Sequence, residues 1–300
     1  MATRLSDELR GAGFRGEILA EEPLAPLTTW RIGGPAELLA TPAGAEDVAL
    51  AVSFANRRRL AWRVLGNGSN LLVRDAGVRG LVLRLRKVLD RIEIEGSRVV
   101  SGAGVSFPAL ARAAALRGLA GIEFGAGIPG SVGGAIVMNA GWHAFEIGNV
   151  VSRVTYLEDD GSAVEYDHEA CRFGYRTSAF RGRRGVVLHA ELTLTPDEPD
   201  AVNERLLRFA ESRKANQPTD LPSCGSVFLK PEGDFAGRLI EACGLKGRRV
   251  GGIQVSEKHA NFFVNVGNGT AKDALALVEL VEREVFARFG VRLTREFEIW

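Results

Sequence analysis

Seven glycines in the twenty-one residues from Gly121 to Gly141, GIEFGAGIPGSVGGAIVMNAG, are interleaved with Ile, Val, Met and Phe. That mixture describes a backbone that turns repeatedly while it stays buried. Glycine permits positive φ and lets atoms of another molecule approach the main chain. Successive open N–H groups in such a loop form an anion-binding concavity whose usual occupant is a phosphate or diphosphate. A nucleotide cofactor is expected there. A second stretch, Gly66-Asn67-Gly68-Ser69-Asn70 running into Leu71, is small, turn-prone and rich in hydrogen-bonding groups. It fits a phosphate loop or a plain tight turn, and two such loops in one chain are able to grip a diphosphate from both sides.

Gly125, Gly127 and Gly130 also satisfy G-x-G-x-x-G. A dinucleotide fingerprint needs a strand before it and a helix opening at its third glycine. Here Pro129 precedes Gly130, while Gly133, Gly134 and Gly141 follow it. Interior glycines each cost a helix about 0.5 to 1 kcal/mol relative to alanine, so no good crossover helix is expected and the match is read as accidental.

Other residues carry weaker signals. In Cys171–Phe180, CRFGYRTSAF, aromatic side chains alternate with Arg172 and Arg176. This describes either a core stripe beside solvated charges or an aromatic-lined pocket holding a cation, and the residues alone leave the two equal. Ser226 sits in the small-residue segment SCGSVF and reads by itself as a turn residue, and the lone His259 reads as structural. Cys171, Cys224 and Cys243 are odd in number and lack C-x-x-C spacing, so neither a metal site nor a disulfide framework is expected.

The elements that must hold these residues follow from periodicity. Glu37–Ala40 reads as a strand, Asp47–Arg59 as a helix with Val48, Val52 and Ala55 on one face, and Arg63–Leu65 and Leu71–Val73 as strands flanking the second glycine loop. Ile92–Val100 alternates as a hairpin about Gly96-Ser97. A helix is expected over Phe107–Arg117 behind Ser106, then strands over Val150–Leu157, Ala163–Tyr166 and Gly185–Thr195. The polar TPDEPDA that follows is read as a domain boundary, giving domains of residues 1–197, with subdomains split near 85, and 198–300. Beyond it come helices over Val202–Ala215, Ala236–Cys243 and Ala271–Phe289, the last behind a Thr270 N-cap, with strands between them and a strand-like RLTREFEIW at the end. Irregular alternation with several hairpins makes the class α+β.

The chain has 300 residues, 46% hydrophobic and 25% charged, with a net charge of +1. These values give no reason to expect nucleic acid or an anionic membrane as a partner. No run of eighteen apolar residues spans a membrane. The opening MATRLSDELR has no apolar run after its basic residues, so no signal peptide is expected and the protein reads as cytoplasmic.

Taken together, TTWRIGGPA, GNGSNLLVRD, GIPGSVGGAIVMNAG, FGYRTSAF, RKANQP, PSCGSVF and VSEKHANFFVN resemble the blocks, in order, of the UDP-N-acetylenolpyruvoylglucosamine reductase family. The resemblance covers about Thr28 to Trp300 and, by its length, the family's shorter subtype, which lacks a tyrosine-bearing loop over the active site. It implies an FAD-binding fold of the vanillyl-alcohol oxidase type followed by a smaller substrate-binding domain. It also implies noncovalent FAD, NADPH as electron donor, a UDP-sugar substrate and a monomer. FAD would be held by Gly66, Asn67, Gly68, Ser69, Asn70 and Leu71, and by Gly127, Ile128, Pro129, Gly130, Ser131, Gly133, Gly134 and Ala135.

Three catalytic positions carry over. The arginine of FGYR falls on Arg176, the serine of CGSVF on Ser226, and the C-terminal glutamate on Glu296, where Leu293 and Glu296 match L-x-x-E-V with Phe297 in the valine's place and Glu298 follows two residues later. Tyr175, Lys214 and His259 are assigned to the substrate's diphosphate or uridine. In the implied reaction an enolpyruvyl ether is reduced to UDP-N-acetylmuramate for peptidoglycan. Arg176 would face the carboxylate or developing enolate, Glu296 would support it, and Ser226 would give the proton. The segment Leu229-Lys230-Pro231-Glu232 departs from the family's usual Lys-Asn-Pro. Two other readings stand beside this one: a different FAD oxidoreductase on the same fold, marked by a covalent flavin, and a nucleotide-sugar-binding regulator without catalysis.

Overall fold

A computed structural model describes residues 2–300. The chain forms two units, one made of the residues up to Glu21, Glu37–Asn67 and Arg79–Ser212, the other of Glu22–Ala36, Gly68–Val78 and Arg213–Trp300.

The first unit opens with α1 (Ala2–Gly11), an amphipathic helix that buries Leu5 and Leu9. With α2 (Ala45–Arg57) it covers a four-stranded sheet in the order Glu17–Pro23, Pro35–Thr41, Val78–Arg84, Trp62–Leu65. The last two strands run parallel, with Trp62 opposite Leu81 and Leu65 opposite Arg84. A parallel pair needs a crossover. Leu38, Ala51, Phe54, Leu81 and Leu83 pack there as one core.

The same unit contains a five-stranded antiparallel sheet in the order Ala163–Asp167, Val151–Glu158, Gly185–Thr193, Arg98–Gly102, Ile92–Glu95. On it lie α3 (Phe107–Ala115) and α4 (Val132–Met138), whose Phe107, Leu110, Val132 and Ile136 join Val154, Tyr156, Ala190 and Leu192 in a second core. A short helix, α4, does follow Gly130, but it is no crossover between parallel strands. It opens at Val132 despite two glycines in its first turn, because Ser131 Oγ accepts from Gly134 N at 3.3 Å and Gly133 lets it close on Ala103, which a β-carbon would meet at 2.9 Å. The context remains non-Rossmann: a 3-10 turn (Glu123–Gly127) precedes the loop, and the neighbouring sheet is antiparallel.

α5 (Pro199–Asn216) also belongs largely to the first unit. The sequence expectation broke the chain at 197/198. The break falls at Ser212 instead, because α5 buries Val202 and Leu206 against Ala111 and Ala115 of α3, and its Arg205 pairs with the buried Glu123 at 2.9 Å.

The second unit is built on an antiparallel sheet in the order Ser223–Ser226, Phe262–Asn265, Ile253–Val255, Arg249–Val250. It carries α6 (Ala236–Ala242) and α7 (Ala271–Phe289). α7 begins with a reciprocal cap, Thr270 Oγ1 accepting from Asp273 N and Asp273 Oδ2 from Thr270 N, and ends at Gly290 with φ +69°. Residues from far earlier in the chain complete this unit. Leu71–Leu72 pairs in parallel with Glu298–Ile299, and Trp30, Ile32 and Leu72 enter a core with Cys224, Phe228, Val278, Val281 and Phe297. The Asp75 carboxylate accepts from Ala271 N at 2.8 Å and Lys272 N at 3.0 Å, where an acidic side chain favours the helix start. No helix among the described residues is long and apolar enough to cross a membrane.

Candidate active site

Gly66 follows the strand Trp62–Leu65, and Ser131 caps α4. In the first unit they touch: a β-carbon on Gly66 would lie 2.5 Å from Ser131 Oγ. The two glycine-rich segments thus meet where each has small residues. Among the described residues, none of the N–H groups of Gly66, Asn67, Gly130 and Ser131 finds a protein acceptor, and the same holds for Gly68, Ser69 and Asn70 at the start of the second unit's segment. Within the first unit, open main-chain donors beside Gly66, which excludes a β-carbon, are of the kind that hold an anionic group such as a diphosphate.

Arg176 belongs to the first unit. Gly174 and Thr177 exchange hydrogen bonds, N to O at 3.0 and 3.1 Å, around a two-residue loop of Tyr175 and Arg176. Arg176 takes φ +53°, and its Nη2 donates to the carbonyl of Gly141 at 2.9 Å. Its guanidinium lies 5.4 Å from the centre of the Tyr175 ring, which is 53% exposed. Cys171 and Phe180 enter the core and Arg172 is exposed, as in a core stripe beside solvated charges, while Tyr175 lies exposed next to Arg176.

Ser226 and Glu296 belong to the second unit, where the segment carrying Glu296 runs beside the end of the strand Ser223–Ser226. Gly225 has φ +83°, Ser226 stands opposite Phe262, and Glu296 N donates to the carbonyl of Val227 at 2.9 Å. Other residues of the second unit hold this pair. Asn70 Nδ2 donates to the carbonyl of Glu296 at 3.3 Å, and Thr29 bridges Gly68 and Ser223, its N donating to Gly68 O at 3.0 Å and its Oγ1 to Ser223 O at 2.7 Å. Glu296 is half-buried; Glu298 is exposed and accepts from Trp300 Nε1 at 3.4 Å. Burial first, and then the charge of Glu296, pushes the Cys224 thiol far up, so this cysteine stays protonated. It is no nucleophile.

Lys214 lines a cavity of about 390 Å³ in the second unit with Lys258, Gln254, Ser256 and Thr219. His259 lies outside that lining. Its Nδ1 accepts from Asn261 N at 3.2 Å, its ring packs edge-on to Phe262 at 4.9 Å, and burial lowers its pKa. Lys230 is exposed with its Nζ 4.5 Å from the centre of the Phe235 ring. The Thr29 bridge and Lys258 were not singled out from the sequence; both lie inside blocks that had been, TTWRIGGPA and VSEKHANFFVN. Among the described residues no cluster of His, Cys, Asp or Glu could hold a metal ion.

A family model for the UDP-N-acetylenolpyruvoylglucosamine reductase C-terminal domain matches residues 217–300, and one for an FAD binding domain matches residues 36–167. The UDP-N-acetylenolpyruvoylglucosamine reductase of Moorella thermoacetica is 46% identical over 298 residues, covering 99% of this chain and 98% of its own length. The chain belongs to this family. The corresponding protein of Rubrobacter xylanophilus is 46% identical over 280 residues, 93% of this chain and 94% of its own. The crystal structure of the Thermus caldophilus reductase superposes with a TM-score of 0.82 at 37% identity, covering 96% of this chain and 99% of that one. Berberine bridge enzyme from Eschscholzia californica shares the fold at 14% identity, with a TM-score of 0.50 over 65% of this chain and 44% of its own. The family's reductase therefore carries its chemistry on an FAD-binding fold of the vanillyl-alcohol oxidase type, and this α+β chain is an FAD-dependent oxidoreductase.

Proposed function

We infer that the chain reduces the enolpyruvyl ether of UDP-N-acetylglucosamine enolpyruvate to UDP-N-acetylmuramate for peptidoglycan, with NADPH as donor, and that Arg176, Ser226 and Glu296 serve the reacting atoms. Family membership at 46% identity over almost the whole chain carries the reaction. Bound FAD supplies the hydride transfer from NADPH to the β-carbon of the enol ether. We assign its noncovalent binding to the open main-chain donors of Gly66–Asn70 and Gly130–Ser131 and to the glycine-lined surface between Gly127 and Ala135. Their fit rests on the contact of Gly66 with Ser131, which admits no β-carbon.

The protein's own work is placement, charge and a proton. Hydride at the β-carbon leaves negative charge at the α-carbon, shared with the adjacent carboxylate. The planar, permanently charged fork of Arg176 suits that charge better than a point cation. Glu296, whose N donates to the carbonyl of Val227 next to Ser226, supports the same charge when it is protonated. Ser226 gives its hydroxyl proton to the α-carbon, which completes the reduction. Tyr175 at the rim and Lys214 in the cavity of the second unit are suited to the diphosphate or uridine, the lysine by charge and the tyrosine by an exposed ring and hydroxyl. His259 is assigned the same ligand, but its Nδ1 is already engaged. Monomeric protein and a cytoplasmic site complete the assignment, and three unpaired cysteines suit a reducing compartment.

Ser226→Ala tests the central role. It should leave flavin content and the NADPH half-reaction nearly intact and slow the substrate half-reaction by about 10² to 10⁴, the usual cost of a lost general acid. Stopped-flow absorbance of the flavin reads each half-reaction. A variant that slows the NADPH step and spares the substrate step would move Ser226 to cofactor handling.

A further inference from the structure

Asn139 ends α4 in the left-handed conformation, φ +43°, with only 1% of the residue exposed. Its amide is fully employed. Nδ2 donates to Glu146 Oε2 at 2.7 Å and to the carbonyl of Gly174 at 2.9 Å, and Oδ1 accepts from Gly148 N at 2.9 Å. Two acceptors on one side and a donor on the other settle which atom is nitrogen.

The two acceptors lead to opposite ends of one side chain. Gly174 O also accepts from Thr177 N and so closes the turn from which Arg176 rises. Glu146 stands opposite Gly141 in a short hairpin, and Gly141 O receives Arg176 Nη2 at 2.9 Å. Glu146 is itself fixed, its N donating to Asn149 Oδ1 at 2.9 Å and its carboxylate accepting from the backbone of Asn149 in return. Gly148 completes the clasp: a β-carbon there would meet Asn139 Oδ1 at 2.8 Å and Phe173 at 2.7 Å. One buried amide therefore ties the backbone that carries Arg176 to the hairpin that holds its guanidinium.

We propose that Asn139 is a positioning residue for Arg176, setting the direction in which the guanidinium meets the substrate. The inference rests on the assignment of Arg176 to the reacting carboxylate or enolate. Two features distinguish it from a helix cap. A left-handed C-cap needs only a residue tolerant of positive φ, which glycine supplies, whereas the two Nδ2 bonds serve nothing in α4. They run to the turn and to the hairpin.

Asn139→Asp keeps the shape and the Oδ1 acceptor but sets an oxygen against the Glu146 carboxylate and the Gly174 carbonyl. Asn139→Gly keeps the backbone and removes the tie. Both should keep flavin and a normal NADPH half-reaction and slow the substrate half-reaction by about 10²-fold, the cost of misplacing a catalytic group by about 1 Å. Substrate affinity, titrated by flavin absorbance without NADPH, should weaken less than the rate. In the double variant with Arg176→Lys, the loss should not exceed that of Arg176→Lys alone, because the two residues act through one contact. A substrate half-reaction within twofold of the parent in both single variants overturns the proposal, and so does a loss that multiplies in the double variant. Loss of flavin or of cooperative unfolding in both variants makes Asn139 a folding residue and overturns it as well. Full turnover of Arg176→Lys by itself strikes the Arg176 assignment, a failure recognisable before any Asn139 variant is made.

Discussion

Arg176 occupies a φ of +53°, which a side chain with a β-carbon rarely takes. Such strain costs of the order of 1 kcal/mol and persists where the surroundings over-determine it. Here the flanking Gly174–Thr177 bonds and the Gly141 carbonyl do so. Lysine at this position retains the charge and loses the planar fork. Arg176→Lys should lower kcat by about 10²-fold or more, in the range for removal of a donor to developing negative charge, and steady-state turnover with normal flavin content checks it. His259 makes a prediction about pH. Its Nδ1 accepts from Asn261 N, so a proton there would set donor against donor, and burial holds its pKa below the ordinary 6.5. Above about pH 6.5 the ring is neutral in folded and unfolded chains alike and costs nothing. As pH falls below that value the unfolded chain takes up the proton first, and stability is lost. Urea midpoints should therefore drop between about pH 7.5 and about pH 5.5 more steeply for the parent than for His259→Gln. Equal slopes would remove His259 from the acid limb.

At the scale of elements, the glycine loops are recognisable from composition, yet their pairing is not. Gly66 and Ser131 are 65 positions apart in sequence and meet because α4 and the strand Trp62–Leu65 deliver them to one place. Gly66→Ala would force a β-carbon to 2.5 Å from Ser131 Oγ, and Ser131 is 96% buried as the α4 cap. The variant should purify with much of its flavin missing, while Gly44→Ala, whose β-carbon meets nothing within 4 Å, keeps it. Absorbance of the purified proteins decides, and equal flavin content in both would remove the loop contact from cofactor binding. α4 shows how a short helix accommodates glycine. Propensity charges about 1 kcal/mol per glycine, but a Ser131 cap and close packing of Gly133 on Ala103 offset that charge in a way only the neighbours reveal.

On the scale of the whole molecule, the C-terminal unit is not a contiguous segment. Trp30 and Leu72 are fully buried in its core, Leu71–Leu72 pairs with Glu298–Ile299, and Asp75 caps α7. Removing a buried Trp side chain alone costs about 3 to 5 kcal/mol, against a typical total stability of about 5 to 15 kcal/mol. A fragment of residues 213–300 should therefore show no cooperative urea transition by near-UV circular dichroism. Joining residues 22–36 and 68–78 to it should restore one. A sharp transition in the bare fragment would contradict the account of that core.

The residue types and their order along the chain were sufficient for the α+β class, for the hairpin about Gly96 and for α7 with its Thr270 cap, because these depend on periodicity, φ preference and contacts within a few positions. The family blocks are what assign Arg176, Ser226 and Glu296 to the proposed chemistry. Tertiary structure alone decided what is non-local. It decided that α5 stays with the first unit, since Val202 and Leu206 find α3. It decided that residues 22–36 and 68–78 join the C-terminal unit. It placed Glu296 half-buried beside the serine strand and left Glu298 exposed. And it brought Asn139 against Glu146 and Gly174, a junction that neither spacing nor composition encodes because three separate turns must close before one amide reaches both acceptors.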